Sequence, residues 1–114
     1  MPLPPLVKQF VEKRLTAYCR GKIPNHLQDE IRLSFTFRST NVTLIESRPA
    51  FNMPEEWSAS PVAQFRYDPA AKLWSLYCAD RNLRWHPDME IGPEKDFDLL
   101  LQAIDRDPSG IYWG

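Results

Sequence analysis

Eleven prolines, at positions 2, 4, 5, 24, 49, 54, 61, 69, 87, 93 and 108, limit the length of every regular element this chain can form. Proline fixes φ and removes a backbone donor, so it belongs at the first turn of a helix, at a strand end or in a turn. All eleven are therefore expected at or between elements. The gaps leave room for a helix near each end and for short strands between them. No internal repeat or low-complexity tract disturbs that division.

Residues 5–20 read as an amphipathic helix that Pro5 can open without losing a hydrogen bond. Leu6, Val7, Phe10, Val11, Leu15, Ala17 and Tyr18 recur at helical spacing, and Gly21 offers a left-handed stop. From Gln28 to Ser39 the period drops to two, with Ile31, Leu33, Phe35 and Phe37 alternating with polar residues, the pattern of a strand buried on one side. A short turn near Thr40-Asn41 leads to a second strand from Val42 to Arg48, which Pro49 ends. Residues 49–61 show no periodicity and read as a loop anchored by Phe51 and Trp57.

A third strand is expected from Val62 to Tyr67, followed by a type I turn at Asp68-Pro69. The fourth, Leu73 to Ala79, is apolar on both faces and so reads as central or doubly covered. Asp80-Arg81-Asn82 makes the next turn, with Asn82 suited to a positive φ, and a short fifth strand runs from Leu83 to His86. The last helix spans about 95–106, with Phe97, Leu100, Leu101 and Ile104 as its stripe and Asp107-Pro108 as its end. Glu94, Asp96 and Asp98 crowd its first turn, where the helix dipole favours negative charge. The tail Ile111-Tyr112-Trp113 is too apolar to stand in solvent and is expected to dock.

The order is α-β-β-β-β-β-α. Consecutive strands joined by short turns favour an α+β fold, an antiparallel five-stranded β-meander with an N-terminal and a C-terminal helix packed on one face. At 114 residues there is room for one core, so residues 1–114 are expected to form a single domain. No apolar run reaches the roughly 18 residues that cross a bilayer, so no membrane partner is expected. The start, Met1-Pro-Leu-Pro-Pro-Leu, lacks the basic and apolar regions of a signal peptide, which makes a cytoplasmic location the expectation. Cys19 and Cys78 are too few for a disulfide framework and read as buried thiols.

Several features of residues 42–114 together resemble a known family. They are Val42-x-Leu44-x-Glu46-x-Arg48-Pro49-x-Phe51, Pro61-Val62-Ala63, Trp74-x-Leu76-Tyr77, Asp80-Arg81-x-x-Arg84-Trp85-His86, Asp107-Pro108 and the terminal Gly114. The chain is similar to short bacterial proteins grouped as domain of unknown function 3024. The resemblance implies a bacterial cytosolic protein of similar length and transfers no catalytic residue.

Candidate functional residues come from the sequence itself. Were Thr40 and Asn41 a two-residue hairpin loop, Glu46 would fall opposite Phe35. Val42, Leu44, Glu46 and Arg48 would then share the buried face of Leu33, Phe35 and Phe37. A buried carboxylate must be paired or neutralised, and Arg48 is its natural partner. The plain reading is an ion pair at the end of a sheet or, after a one-residue slip of register, a surface glutamate; the functional one is an acid poised in a cleft. The second cluster is Asp80, Arg81, Arg84, Trp85 and His86, on a hairpin able to stack bases and hold phosphates. Its plain reading is a turn capped by Asp80 with solvated arginines and Trp85 covering the core.

The charge is uneven: residues 1–50 carry eight basic and four acidic side chains (+4), residues 51–114 six and eleven (−5). The overall pI of about 6.1 disfavours nucleic acid. Neither His26, His86, Cys19 nor Cys78 stands at metal-ligand spacing, and no glycine-rich phosphate loop exists, so no metal and no cofactor are expected. Fourteen aromatic residues, more than one small core readily absorbs, favour a non-enzymatic interaction module with a protein partner or a second copy. A nucleic-acid module using Arg66, Arg81, Arg84 and Trp85 is the alternative. A small hydrolase-like enzyme using Glu46, Asp80 and His86 is the third.

Overall fold

The computed structural model of the chain describes residues 2–27, 29–53, 55–108 and 110–113. Gln28, where the first strand was expected to begin, Pro54 of the expected loop and the motif residue Gly114 lie outside them. The first element is α1 (Pro5–Lys22) and a short 3-10 turn (Asn25–Leu27) follows it. Five strands come next, β1 (Arg32–Arg38), β2 (Asn41–Pro49), β3 (Trp57–Asp68), β4 (Leu73–Ala79) and β5 (Trp85–Pro87), and then α2 (Phe97–Arg106). The strands form one antiparallel sheet in sequence order, the meander that the alternation and short turns predict.

Val42, Leu44, Ala63, Phe65, Trp74 and Leu76 point from one face of the sheet into the core. They meet Leu3, Val11 and Leu15 from the N-terminal segment and Phe97, Leu100, Leu101 and Ile104 from α2. Phe97 lies between Phe65 and Trp74, with ring centroids 4.8 and 5.0 Å away. The two helices join through the Tyr18 hydroxyl, which donates to Asp105 Oδ1 at 2.7 Å, and through Lys22 at 3.1 Å from the same oxygen.

The structure corrects several sequence expectations. Gly21 does not stop α1; the helix runs through it to Lys22 and ends where Ile23 turns extended. Pro24 is the cause, since the residue before a proline is pushed out of the α region. Leu6 and Phe10 are not on the buried face but 80% and 44% exposed, and Ala17 is also exposed. The helix seats instead on Val7, Val11, Leu15, Tyr18 and Cys19.

The first hairpin turns at Ser39-Thr40 rather than Thr40-Asn41, so Glu46 lies opposite Leu33 and not Phe35. Ser39 takes the positive φ of 54°, a conformation that β-branched Thr40 would resist. A slip of two residues leaves every side chain on the face expected of it.

The segment 49–61 is not one loop. β3 begins at Trp57 and pairs with β2 as far as Pro49, leaving 50–56 as the connection. Phe51 anchors nothing, being 99% exposed, whereas Trp57 is a strand residue. Pro61 therefore lies inside a strand. It is tolerated there because the register shifts beside it, leaving Val62 as a bulge, and because β4 pairs only with Gln64–Asp68. Leu83, not Asn82, carries the positive φ after β4, and β5 occupies 85–87 in place of 83–86.

Candidate functional site

Asp80 organises the turn after β4. Its Oδ1 accepts from the backbone N–H of Asn82 and of Arg84, both at 2.9 Å, and its Oδ2 lies 2.7 Å from His86 Nε2. A carboxylate only accepts, so Nε2 carries the proton of that bond. The His86 contact, with the two backbone N–H groups, holds the Asp80 carboxyl below the usual carboxylate range. The side chain is thereby committed to closing a turn. Arg81 and Arg84 project from the turn into solvent, and Trp85 is half-buried.

Glu46 and Arg48 pair on the helix side of the sheet, Oε1 to Nε at 2.7 Å, with the glutamate 21% and the arginine 60% exposed. They line an open groove of about 720 Å3 with Lys22, Asp105, Asp107 and Trp113. Neither Asp80 nor His86 lines that groove. The tail borders two grooves: Pro108, Gly110 and Trp113 line the one at Glu46, while Pro108, Ile111 and Tyr112 line the one at Cys78 and Pro87. Asp107, in the left-handed conformation at the end of α2, fixes this tail by accepting from the N–H groups of Tyr112 and Trp113. Gly110, at φ 72°, supplies the reversal between them.

The remaining reactive groups are quiet. Burial pushes the Cys19 thiol up to about 11 and, with Asp88 nearby, raises that of Cys78. Cys78 Sγ donates to the backbone oxygen of His86 at 3.5 Å, so the two side chains do not form a nucleophile–base pair. Burial and the Asp105 bond keep Tyr18 protonated far above neutrality, and burial with the Asp88 bond does the same for Tyr112. Among the described residues no three His, Cys, Asp or Glu converge as metal donors, and no helix is long and apolar enough to cross a membrane.

The other face of the sheet carries a different chemistry. The register places Arg32, Ser34, Thr36 and Arg38 of β1 there, with Asn41, Thr43, Ile45 and Ser47 of β2. Trp57, Gln64, Arg66 and Asp68 of β3, Ser75 and Tyr77 of β4 and Trp85 of β5 also lie on it, among the apolar Ala59, Pro61, Leu73, Ala79 and Pro87. The core cluster and both helices lie opposite, and among the described residues only Gln64 of this face is buried.

The Arg32 guanidinium carbon sits 3.8 Å from the centre of the Trp57 ring, and that of Arg66 3.8 Å from the centre of Tyr77. Arg66 is held further by its Nε, which donates to Gln64 Oε1 at 2.7 Å; Gln64 Nε2 in turn donates to Thr43 Oγ1 at 3.1 Å. Three arginines against one aspartate give this face +2, on a chain whose net charge is −1. The compensating acid lies in residues 88–107, which carry seven acidic and two basic side chains and include α2 on the opposite face.

Of the residues singled out in the sequence, only Arg66 and Trp85 belong to this face, and Arg81 and Arg84 lie in the turn that leads to it. Arg32, Trp57, Gln64 and Tyr77 were missed. The period-two pattern would have placed Arg32 and Tyr77, but Trp57 was hidden beyond the proline and the bulge. No curated protein and no solved structure shows significant similarity to the chain. Residues 3–114 match the family described as Domain of unknown function (DUF3024), and the chain belongs to that family.

Proposed function

We propose that this chain is a non-enzymatic binding module that presents the helix-free face of its sheet to an anionic partner. The observation that carries this reading is the pair of arginines laid over aromatic rings, Arg32 on Trp57 and Arg66 on Tyr77, within a face of net positive charge. Such stacking restrains two long side chains before any ligand arrives, which lowers the ordering cost of binding. The side chains that a hydrolase would need support structural roles instead. Asp80 is occupied by a turn and by His86, Glu46 by Arg48, and neither Asp80 nor His86 lines the groove at Glu46.

Backbone-amide NMR titration at low salt tests the reading, with a glutamate homopeptide and a short single-stranded oligonucleotide as separate probes. Shifts are expected at Arg32, Thr43, Gln64, Arg66 and Tyr77, and none along α1. Shifts confined to α1, α2 or the Glu46–Arg48 groove, or none with either probe, would overturn it.

A further inference from the structure

Resting on that reading of the face, we infer that its anionic partner is single-stranded RNA. The arginines are placed for bases as well as for phosphates. A guanidinium lying over a ring at 3.8 Å has one side covered, and the side away from the ring is flat, cationic and able to stack a base. Arg32 is exposed, and Arg66 is fixed through Nε, a bond in which its two terminal nitrogens take no part. Those nitrogens are the ones that meet a phosphate in bidentate geometry.

The spacing suits a polymer rather than a mononucleotide. Arg32 is level with Ser47 and Arg66 with Asn41, six residues apart along β2 and on opposite sides of it. Strand dimensions make that a diagonal of about 20 Å along the strands and about 10 Å across them. Trp85, half-exposed beside Ala79 at the β5 edge, extends the same face toward the exposed Arg81 and Arg84.

Two alternatives fit less well. A duplex hides the faces of its bases from the two ring-backed guanidiniums. An acidic peptide would satisfy the charges but brings no flat ring to the guanidinium surfaces. Between RNA and DNA the face itself discriminates. Ser34, Thr36 and Thr43 place hydroxyls at levels between Arg32 and Arg66, and a 2′-hydroxyl both donates to and accepts from such groups.

Fluorescence anisotropy with a labelled oligouridine of about eight nucleotides, within the ~4–16 bound by single-strand-binding domains, is the test. Three arginines meeting phosphates predict that log K falls with log salt at a slope of about −2. Arg32→Gln and Arg66→Gln should each flatten that slope by about 0.7 and weaken binding roughly fivefold or more. Lys13→Gln on α1 should change neither. Tyr77→Phe should retain binding, and Tyr77→Leu, which removes the ring that holds the Arg66 guanidinium flat, should lose about tenfold, the worth of the base stacked on Arg66, with circular dichroism confirming that each variant is folded.

The inference is overturned if the oligouridine does not bind at low salt, or if the double arginine variant binds it unchanged. Equal or tighter binding of the deoxy strand or of a duplex overturns it as well, as does occupation of the face by a second copy of the chain in the absence of any probe. Should the glutamate homopeptide bind at Arg32 and Arg66 while RNA does not, the RNA assignment fails and the anion-binding face stands. If neither binds, both fail.

Discussion

Asp107 offers the sharpest test of how this fold is closed, because one side chain does three things there. It ends α2 in the left-handed conformation, at φ 36° and ψ 56°. Its Oδ1 accepts from Tyr112 N at 3.1 Å and its Oδ2 from Trp113 N at 2.8 Å. Replacing it with alanine removes two bonds to a charged acceptor, and such bonds contribute about 1.5–3 kcal/mol each. Asp107 is only half-buried, so the lower end applies and the two together come to about 3 kcal/mol. Alanine in a left-handed position adds up to about 1 kcal/mol, since aspartate tolerates that region better.

Asp107→Ala should therefore cost about 3–4 kcal/mol. Asp107→Gly loses the same bonds but has no Cβ to clash, and should cost about 2 kcal/mol. Urea unfolding reads both. With a slope of about 1.5–2 kcal/mol per molar, typical of this size, the alanine midpoint should fall by roughly 2 M. Folded Asp107→Ala should also show red-shifted tryptophan emission as Trp113 leaves its groove. A midpoint within about 0.3 M of the parent would refute the tie between Asp107 and the tail, because at that slope it amounts to only about 0.5 kcal/mol. A glycine variant no better than alanine would refute the backbone part of the reasoning.

Four further outcomes follow from the structure. Asp80 has its folded pKa below its unfolded one, so its contribution to stability is present above the ordinary carboxylate range and disappears as pH falls through the lowered folded value. The stability difference between the parent and Asp80→Asn, measured in urea from neutral pH downward, should accordingly shrink on acidification. Cys19, raised from 9.0 to about 11, should be alkylated by iodoacetamide at pH 8 about a hundredfold more slowly than a free thiol, with unfolding restoring the rate. Phe97→Ala, at the meeting point of α2, Phe65 and Trp74, should cost about 3–5 kcal/mol. Phe51→Ser, at a position 99% exposed, should stay within about 0.5 kcal/mol.

The elements were legible wherever one local period ran without interruption. β4 has the bounds its apolar run predicts, and Phe97, Leu100, Leu101 and Ile104 are all buried as the stripe on α2 requires. Legibility failed where two signals competed. Leu6 and Phe10 satisfied helical spacing, yet the helix packs through a neighbouring stripe, since several apolar rows on α1 fit the same period. The hairpin register escaped by two residues because a two-residue slip preserves the facing of every side chain, so the apolar pattern cannot see it. β3 was cut short because Pro61 reads as punctuation. Only tertiary context, a bulge at Val62 and an edge that β4 leaves unpaired, turns it into a strand residue.

That same misreading of β3 hid Trp57, the ring beneath Arg32. The charge imbalance between the two halves of the chain is a property of the linear sequence and names no face. Folding converts the imbalance into a polarity of faces. The meander lays Arg32 and Arg38 from the basic half beside Arg66 from the acidic half, all on the side away from the helices. Residues 88–107 carry most of the acid past the last strand and into α2 on the other side. A net charge of −1 and a pI of about 6.1 average over both faces, so they argue against a nucleic-acid partner only for a protein whose charges are mixed. Here the charges are sorted, and a ligand approaching the open sheet meets the local field rather than the average.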